Sequence, residues 1–144
     1  MHIIIGSDHG GYILKEAVKR HLNSLDHSVF DQGTHDATTS VDYPDYALPV
    51  ARAVVAGEYD FGIIVCGTGI GISIAANKVR GARAALCTDP YMARMARMHN
   101  NANILALGGR VLGEGLALDI VDAFLAATFE GGRHGTRVEK LDNA

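Results

Sequence analysis

The chain has no tryptophan, only three prolines and only two cysteines in 144 residues. The cysteines, Cys66 and Cys87, show no C-x-x-C pattern and no Cys/His metal spacing. Neither a disulfide framework nor a bound metal is therefore expected, and reduced thiols suit a cytoplasmic protein. No apolar run approaches the roughly 20 residues of a membrane span. Met1-His2-Ile3-Ile4-Ile5 lacks the basic start and long apolar stretch of a secretory leader, so no membrane role is expected. A basic excess is missing too. Sixteen acidic residues against 13 basic ones give a net charge of −3, which argues against a nucleic-acid partner. There is no internal repeat, low-complexity tract or linker. One domain spanning 1–144 is expected.

What is present is alternation of strand-like and helix-like segments. Ile3-Ile4-Ile5 reads as a strand buried on both faces. Leu14, Val18, Leu22 and Leu25 recur at helical spacing and predict a helix over about 11–25. Val29-Phe30 reads as a second strand, and Thr34–Ser40 as a polar loop. A helix over about 44–57 starts at Pro44, with Ala47, Val50, Ala51, Val54 and Val55 on its apolar face. Phe61–Val65 is the third strand, and the helix after it is expected to reach about Val79. Ala82–Cys87 is the fourth strand. Asp89-Pro90 opens a helix to about Met98 that His99-Asn100-Asn101 end. Ile104–Leu107 is the fifth strand. A helix from Gly113 to about Thr128 carries Leu116, Ile120, Phe124 and Leu125. The polar tail is expected to dock as a short helix through Val138 and Leu141. This alternation predicts α/β class, a three-layer Rossmann-like five-stranded parallel sheet of flavodoxin-like order, with helices on both faces.

The chemistry centres on Val65-Cys66-Gly67-Thr68-Gly69-Ile70-Gly71-Ile72. A cysteine ends the strand, and alternating glycines lead into a helix. The carboxyl edge of such a sheet is where ligands bind, and a helix N-terminus there favours anions. Ile72 stands where a dinucleotide fingerprint needs its third glycine, and no Walker lysine follows. What remains is an anion cradle of N–H groups beside a thiol, which can be a nucleophile or a base. Asp8-His9, Thr88-Asp89 and Gly108-Gly109-Arg110 follow other strands and are expected on the same edge. Asp8 suits a cap as well as a ligand contact. His99 can move a proton near neutral pH. Nine of the 13 basic residues are arginine, the better partner for phosphate. Arg110, Arg133 and Arg137 are the phosphate candidates, whereas Arg94 and Arg97 read as surface or interface.

Gly6-Ser7-Asp8-His9-Gly10-Gly11, Asp42-Tyr43-Pro44, Cys66-Gly67-Thr68-Gly69-Ile70-Gly71-Ile72, Ala75-Ala76-Asn77-Lys78, His99-Asn100-Asn101 and Glu130-Gly131-Gly132-Arg133-His134 run in this order over nearly the whole chain. Together they resemble ribose-5-phosphate isomerase of type B. It sits in a wider sugar-phosphate isomerase family that includes galactose-6-phosphate and allose-6-phosphate isomerases. The resemblance implies interconversion of ribose 5-phosphate and ribulose 5-phosphate, with a hexose 6-phosphate as the alternative substrate. It implies a homodimer, or a dimer of dimers, with shared sites and with the tail from about 130 docked on the partner. It implies no metal and no organic cofactor. Cys66 matches the family's base, His99 its ring-opening histidine, and Thr68 a further catalytic position. Asp8, His9, Tyr43, Gly67, Gly69, Ile70, Gly71, Asn100, Arg110, Arg133 and Arg137 match substrate contacts. One branch uses a glutamate base where this chain has Ile72, so the resemblance is to the cysteine branch. A different class, a non-catalytic phosphate- or nucleotide-binding module, is the rival reading, with a thiol hydrolase behind it.

Overall fold

The computed structural model describes residues 1–144. Strands β1 (His2–Ser7), β2 (Ser28–Gly33), β3 (Phe61–Cys66), β4 (Ala84–Leu86) and β5 (Ile104–Gly108) alternate with helices α1 (Tyr12–Ser24), α2 (Pro44–Val55), α3 (Ile70–Ala76), α4 (Pro90–Asn100), α5 (Glu114–Ala126) and α6 (Arg133–Asp142). All pairings are parallel, in the order β2-β1-β3-β5-β4. The three-layer Rossmann-like fold is as expected. The order corrects one detail, because a flavodoxin-like sheet runs 2-1-3-4-5. Here the last two strands are exchanged. Burial explains this: every residue of β5 is buried, whereas β4 has three half-buried residues. The apolar strand takes the inner position and the short one the edge.

The sheet divides the core. Ile3, Ile5, Ile63, Val65, Leu105 and Leu107 face α1, α4 and α5. Ile4, Ile64, Cys66, Ile104 and Ala106 face α2 and α3. The chain leaves β1 towards the first layer and β3 towards the second. The crevice at the carboxyl ends of β1 and β3 is therefore a topological switch point, where such folds bind ligands. Asp8 and Cys66 stand there.

Several boundaries and faces differ from expectation. Helix α3 stops at Ala76 because Asn77 turns away to pair with the sheet edge. Its amide donates to the Ala84 carbonyl, and its side-chain oxygen accepts from the Ala84 N–H, both at 2.9 Å. β4 starts late because the Arg83 N–H goes to the Asn103 side chain instead. Leu25, Val55 and Leu116 are exposed rather than on the apolar faces. Arg97 is no surface residue: its guanidinium lies over the Phe61 ring at 4.5 Å and donates to the Ala102 carbonyl. The tail forms a full helix, α6, that buries His134 and Val138 and packs on α4.

Candidate active site

The predicted residues form two clusters on opposite edges of the sheet. The first is built at the carboxyl edge by the turns after β1, β3 and β5. Asp8 N–H donates to the Val65 carbonyl, Gly109 N–H to Cys66 and Arg110 N–H to Gly67, at 3.3, 2.8 and 2.9 Å. Glycine is required for this closeness. A Cβ on Gly11 would overlap the Val65 carbonyl, and one on Gly10 would stand 3.2 Å from the Gly67 nitrogen. Asp8 caps the short turn His9–Gly11 by accepting from Gly11 N–H at 3.0 Å. His9 Nδ1 accepts from Val41 N–H, which leaves Nε2 as the ring's donor. Thr88-Asp89 resolves as a cap only, with Asp89 accepting from Met92 N–H.

Cys66 is 4% exposed, and its sulfur accepts from Gly69 N–H at 3.1 Å. Gly69 adopts φ +78°, the left-handed region that glycine tolerates, where the loop turns into α3. Ile70 N–H donates to Thr68 Oγ1. The expected cradle is thus narrower than the run Gly67–Gly71. The N–H groups of Gly69 and Ile70 are engaged inside the loop, whereas those of Gly67, Thr68 and Gly71 have no partner in the chain. Two side chains wall the loop. Arg110 lies over Gly67, where a Cβ would come 3.2 Å from Nη1, and the Tyr43 ring covers Gly71. Arg110 is exposed and has no carboxylate partner. Cys87, by contrast, is 1% exposed, and burial, then Asp89, pushes its thiol up to about 11. It is core, as its apolar setting predicts.

The second cluster lies at the amino edge. Helix α4 starts beside the end of β4 and runs back, so its last turn, with His99 and Asn100, lies where the strands begin. Asn101 ends the helix at φ +47°. Arg83 Nε donates to its carbonyl at 2.9 Å and Arg97 to its side-chain oxygen at 3.2 Å. Glu130 N–H donates to the Met98 carbonyl at 3.0 Å, which starts α6 beside His99. Arg133 and Arg137, one turn apart on α6, are exposed and without carboxylate partners. The largest hollow, about 470 Å³, runs along β4 and includes Asn100, Arg83, Asn77 and Leu141. It touches neither Cys66 nor His99, so shape alone does not find the chemistry.

Sequence reasoning gave no role to Glu130 and His134. The His134 ring stacks on His99 with centroids 4.1 Å apart and planes 7° apart. Glu130 Oε2 stands 3.4 Å from His134 Nε2 and 3.8 Å from His99 Nε2. Burial, His99 and the Arg133 and Arg137 guanidiniums lower the His134 pKa against the opposing pull of Glu130. The i, i+4 spacing of Glu130 and His134 was the available signal. The three side chains bring donor atoms within 4.8 Å of one another, a spacing a cation could use. A cation bound by imidazole lies near the ring plane, however, and two parallel planes share no such point. As they stand, the rings suit a stacked pair beside one carboxylate better than a metal site.

A family model described as Ribose/Galactose Isomerase matches residues 3–141. The chain belongs to this family. It is 52% identical to ribose-5-phosphate isomerase B of Escherichia coli over 139 residues, 96% of this chain and 93% of that protein. Among solved structures, the ribose-5-phosphate isomerase B of Clostridium thermocellum is 62% identical with a TM-score of 0.97, covering 99% of this chain and 96% of that one. The Mycoplasma genitalium enzyme, solved with bound ribulose 5-phosphate, is 43% identical with a TM-score of 0.94, covering 99% and 94%. Family membership makes the chain an aldose–ketose isomerase, and the non-catalytic module falls as a reading. No helix is long and apolar enough to cross a membrane.

Proposed function

We propose that the chain interconverts ribose 5-phosphate and ribulose 5-phosphate through an enediolate, without a metal or organic cofactor. The observation that carries this is Cys66 at the switch point, beside a loop whose Gly67, Thr68 and Gly71 N–H groups are free. Two steps need separate groups. Ring opening breaks the C1–O4 bond and moves a proton from O1 to O4, and His99 mediates that transfer. Isomerisation then takes a proton from C2 and returns one to C1 while a hydroxyl proton passes from O2 to O1. Cys66 is the base for the carbon-bound proton. The free N–H groups and the Thr68 hydroxyl, whose oxygen already accepts from Ile70, stabilise the enediolate oxygen. Asp8, His9, Tyr43 and Asn100 contact the sugar. Arg110, Arg133 and Arg137 hold the phosphate, whose binding energy orients the reacting carbons.

Cys66 and His99 lie on opposite edges of one chain, so one site draws on two copies. We assign Cys66, Thr68, Asp8, His9, Tyr43 and Arg110 to one subunit. His99, Asn100, Arg133 and Arg137 come from the other, with α6 at the contact. The chain thus works as one domain, 1–144, in a homodimer, with a tetramer as a pair of such units. Two free cysteines suit a reducing compartment such as the cytoplasm. The test is a coupled assay on purified protein with ribose 5-phosphate, allose 6-phosphate and galactose 6-phosphate. The expected result is the highest kcat/KM for ribose 5-phosphate and loss of turnover in Cys66→Ala. A tenfold preference for a hexose phosphate would move the substrate to six carbons, and near-normal turnover of Cys66→Ala would remove Cys66 as base.

A further inference from the structure

Resting on the ring-opening role just assigned to His99, we propose that Glu130 and His134 are positioning residues for that histidine. Glu130 fixes the proton of His99 on Nε2 and so turns an unprotonated Nδ1 towards the sugar. His134 holds the ring in that orientation by stacking. A carboxylate accepts hydrogen bonds and favours the tautomer that offers it an N–H. The same Glu130 oxygen stands 3.8 Å from His99 Nε2 and 3.4 Å from His134 Nε2, ion-pair rather than hydrogen-bond contacts, so its charge favours an N–H on each of these nearer nitrogens. The near-parallel stack at 4.1 Å leaves His99 little freedom to rotate. His99 is about a third exposed, whereas His134 is 8% exposed, so the buried ring is a wall and the open one works.

The charged groups around the pair are consistent with this division. His134 meets His99 from α4 and Arg133 and Arg137 from its own helix, all disfavouring its protonation, while Glu130 favours it. A second cation stacked against a protonated His99 would repel it. A neutral His134 lets His99 carry a proton during ring opening without that cost. Arg97, the other cation in the last turns of α4, points into the core over Phe61.

The reaction itself offers a clean test. Ribulose 5-phosphate cannot close to a furanose, because its O5 carries the phosphate. Exchange of its C1 hydrogen with solvent deuterium therefore needs Cys66 and the N–H cradle but no ring chemistry. Glu130→Ala and His134→Ala are expected to lower kcat/KM for ribose 5-phosphate by about 10–100-fold, less than the ~10²–10⁴-fold that loss of the acid–base group itself would cost. C1 exchange into ribulose 5-phosphate should stay within about twofold of wild type over the same variants, since that step lacks the acid–base group they position. Glu130→Gln, whose amide oxygen still accepts an N–H, should recover part of the loss, and His134→Phe, which keeps the stack, should exceed His134→Ala. Nitrogen-15 spectra should show His99 as the Nε2–H tautomer in the wild type and mixed in Glu130→Ala. A wild-type His99 protonated on Nδ1 overturns the proposal, as do Ala variants that turn over ribose 5-phosphate normally. So does a parallel fall of exchange and turnover, which would mean general disruption. Failure of the wild type itself on ribose 5-phosphate would instead sink the reading of the site.

Discussion

Mixing two inactive variants should restore activity, and the amount follows from the geometry. β3 takes five steps from Phe61 to Cys66, about 17 Å at a strand's rise per residue. Helix α4 runs the opposite way for 11 residues, which returns the chain by about 16 Å. His99 is thus roughly one sheet length from Cys66 of its own chain, beyond the reach of an imidazole side chain. Cys66→Ala and His99→Asn should each lose about 10²–10⁴-fold in turnover, the range for a missing acid–base group. In a heterodimer of the two, one site combines the intact Cys66 of one subunit with the intact His99 of the other, and its companion site lacks both. Random pairing of equal amounts makes half the dimers mixed, each with one working site of two, so about a quarter of wild-type activity returns. The assay is coupled ribose 5-phosphate turnover after co-expression, or after joint unfolding and refolding of the two chains. Heterodimers isolated with two different tags should reach about half of wild type by the same counting. A mixture no more active than the mean of its parents would refute the two-subunit site and require both groups to meet within one chain.

Two further predictions test the loop and the frame. Gly71→Ala places a Cβ 2.7 Å from the Tyr43 ring, which is partly exposed and can swing away, so thermal stability should hardly change while KM rises. Gly69→Ala meets the Leu107 backbone at 2.9 Å from a left-handed φ, so it should lose about 2–4 kcal/mol in denaturant unfolding; equal stability of the two variants would contradict this account. Asp31 is the acid-sensitive point of the frame: burial alone would raise its carboxyl, but hydrogen bonds from fully buried Lys15, from Lys19 and from Gly33 N–H hold it at about 2. That stabilisation is complete above the unfolded carboxyl value near 4, declines as pH falls, and is gone below about 2. Lys15→Met should cost about 2 kcal/mol at pH 7 and raise the midpoint of acid unfolding followed by circular dichroism, and an unchanged midpoint would separate Asp31 from acid stability.

The sequence was most legible where one residue type answers one local demand. β-Branched runs gave the inner strands, Asp89-Pro90 gave the start of α4, and alternating glycines after Cys66 gave a turn that only glycine can make. The strand order was less legible, because it depends on how two candidate strands compete for an inner place. Ala84-Ala85-Leu86 and Ile104-Leu105-Ala106-Leu107 both read as strands, and only their relative burial puts β5 inside. Arg97 misled for a related reason: arginine on a helix reads as solvated until Phe61 and Phe124 supply ring faces for it. Glu130 and His134 were hidden more deeply, since their meaning is a relation to His99 from a different helix.

Placement of the two clusters follows from helix direction, and the proposed two-subunit site rests on it. In a parallel sheet every crossover helix runs against its strands, so residues at strand ends and residues at helix ends lie on opposite edges. Cys66 ends a strand and His99 ends a helix. No rearrangement of loops within one such layer can join them, because β3 and α4 are both fixed in the core by fully buried residues, Ile63 and Val65 on one and Ala93 on the other. A second copy placed antiparallel can bring the amino edge of one sheet to the carboxyl edge of the other, and twofold symmetry then makes two equal sites. The exposed, unpaired Arg133 and Arg137 fit the same arrangement. They share an edge with His99, and in the proposed dimer they meet Arg110, which lies over Gly67 of the partner loop, around one phosphate. On the proposed two-subunit site, ring opening and proton abstraction fall to different subunits, and exchange into ribulose 5-phosphate should then be separable by mutation from turnover of ribose 5-phosphate.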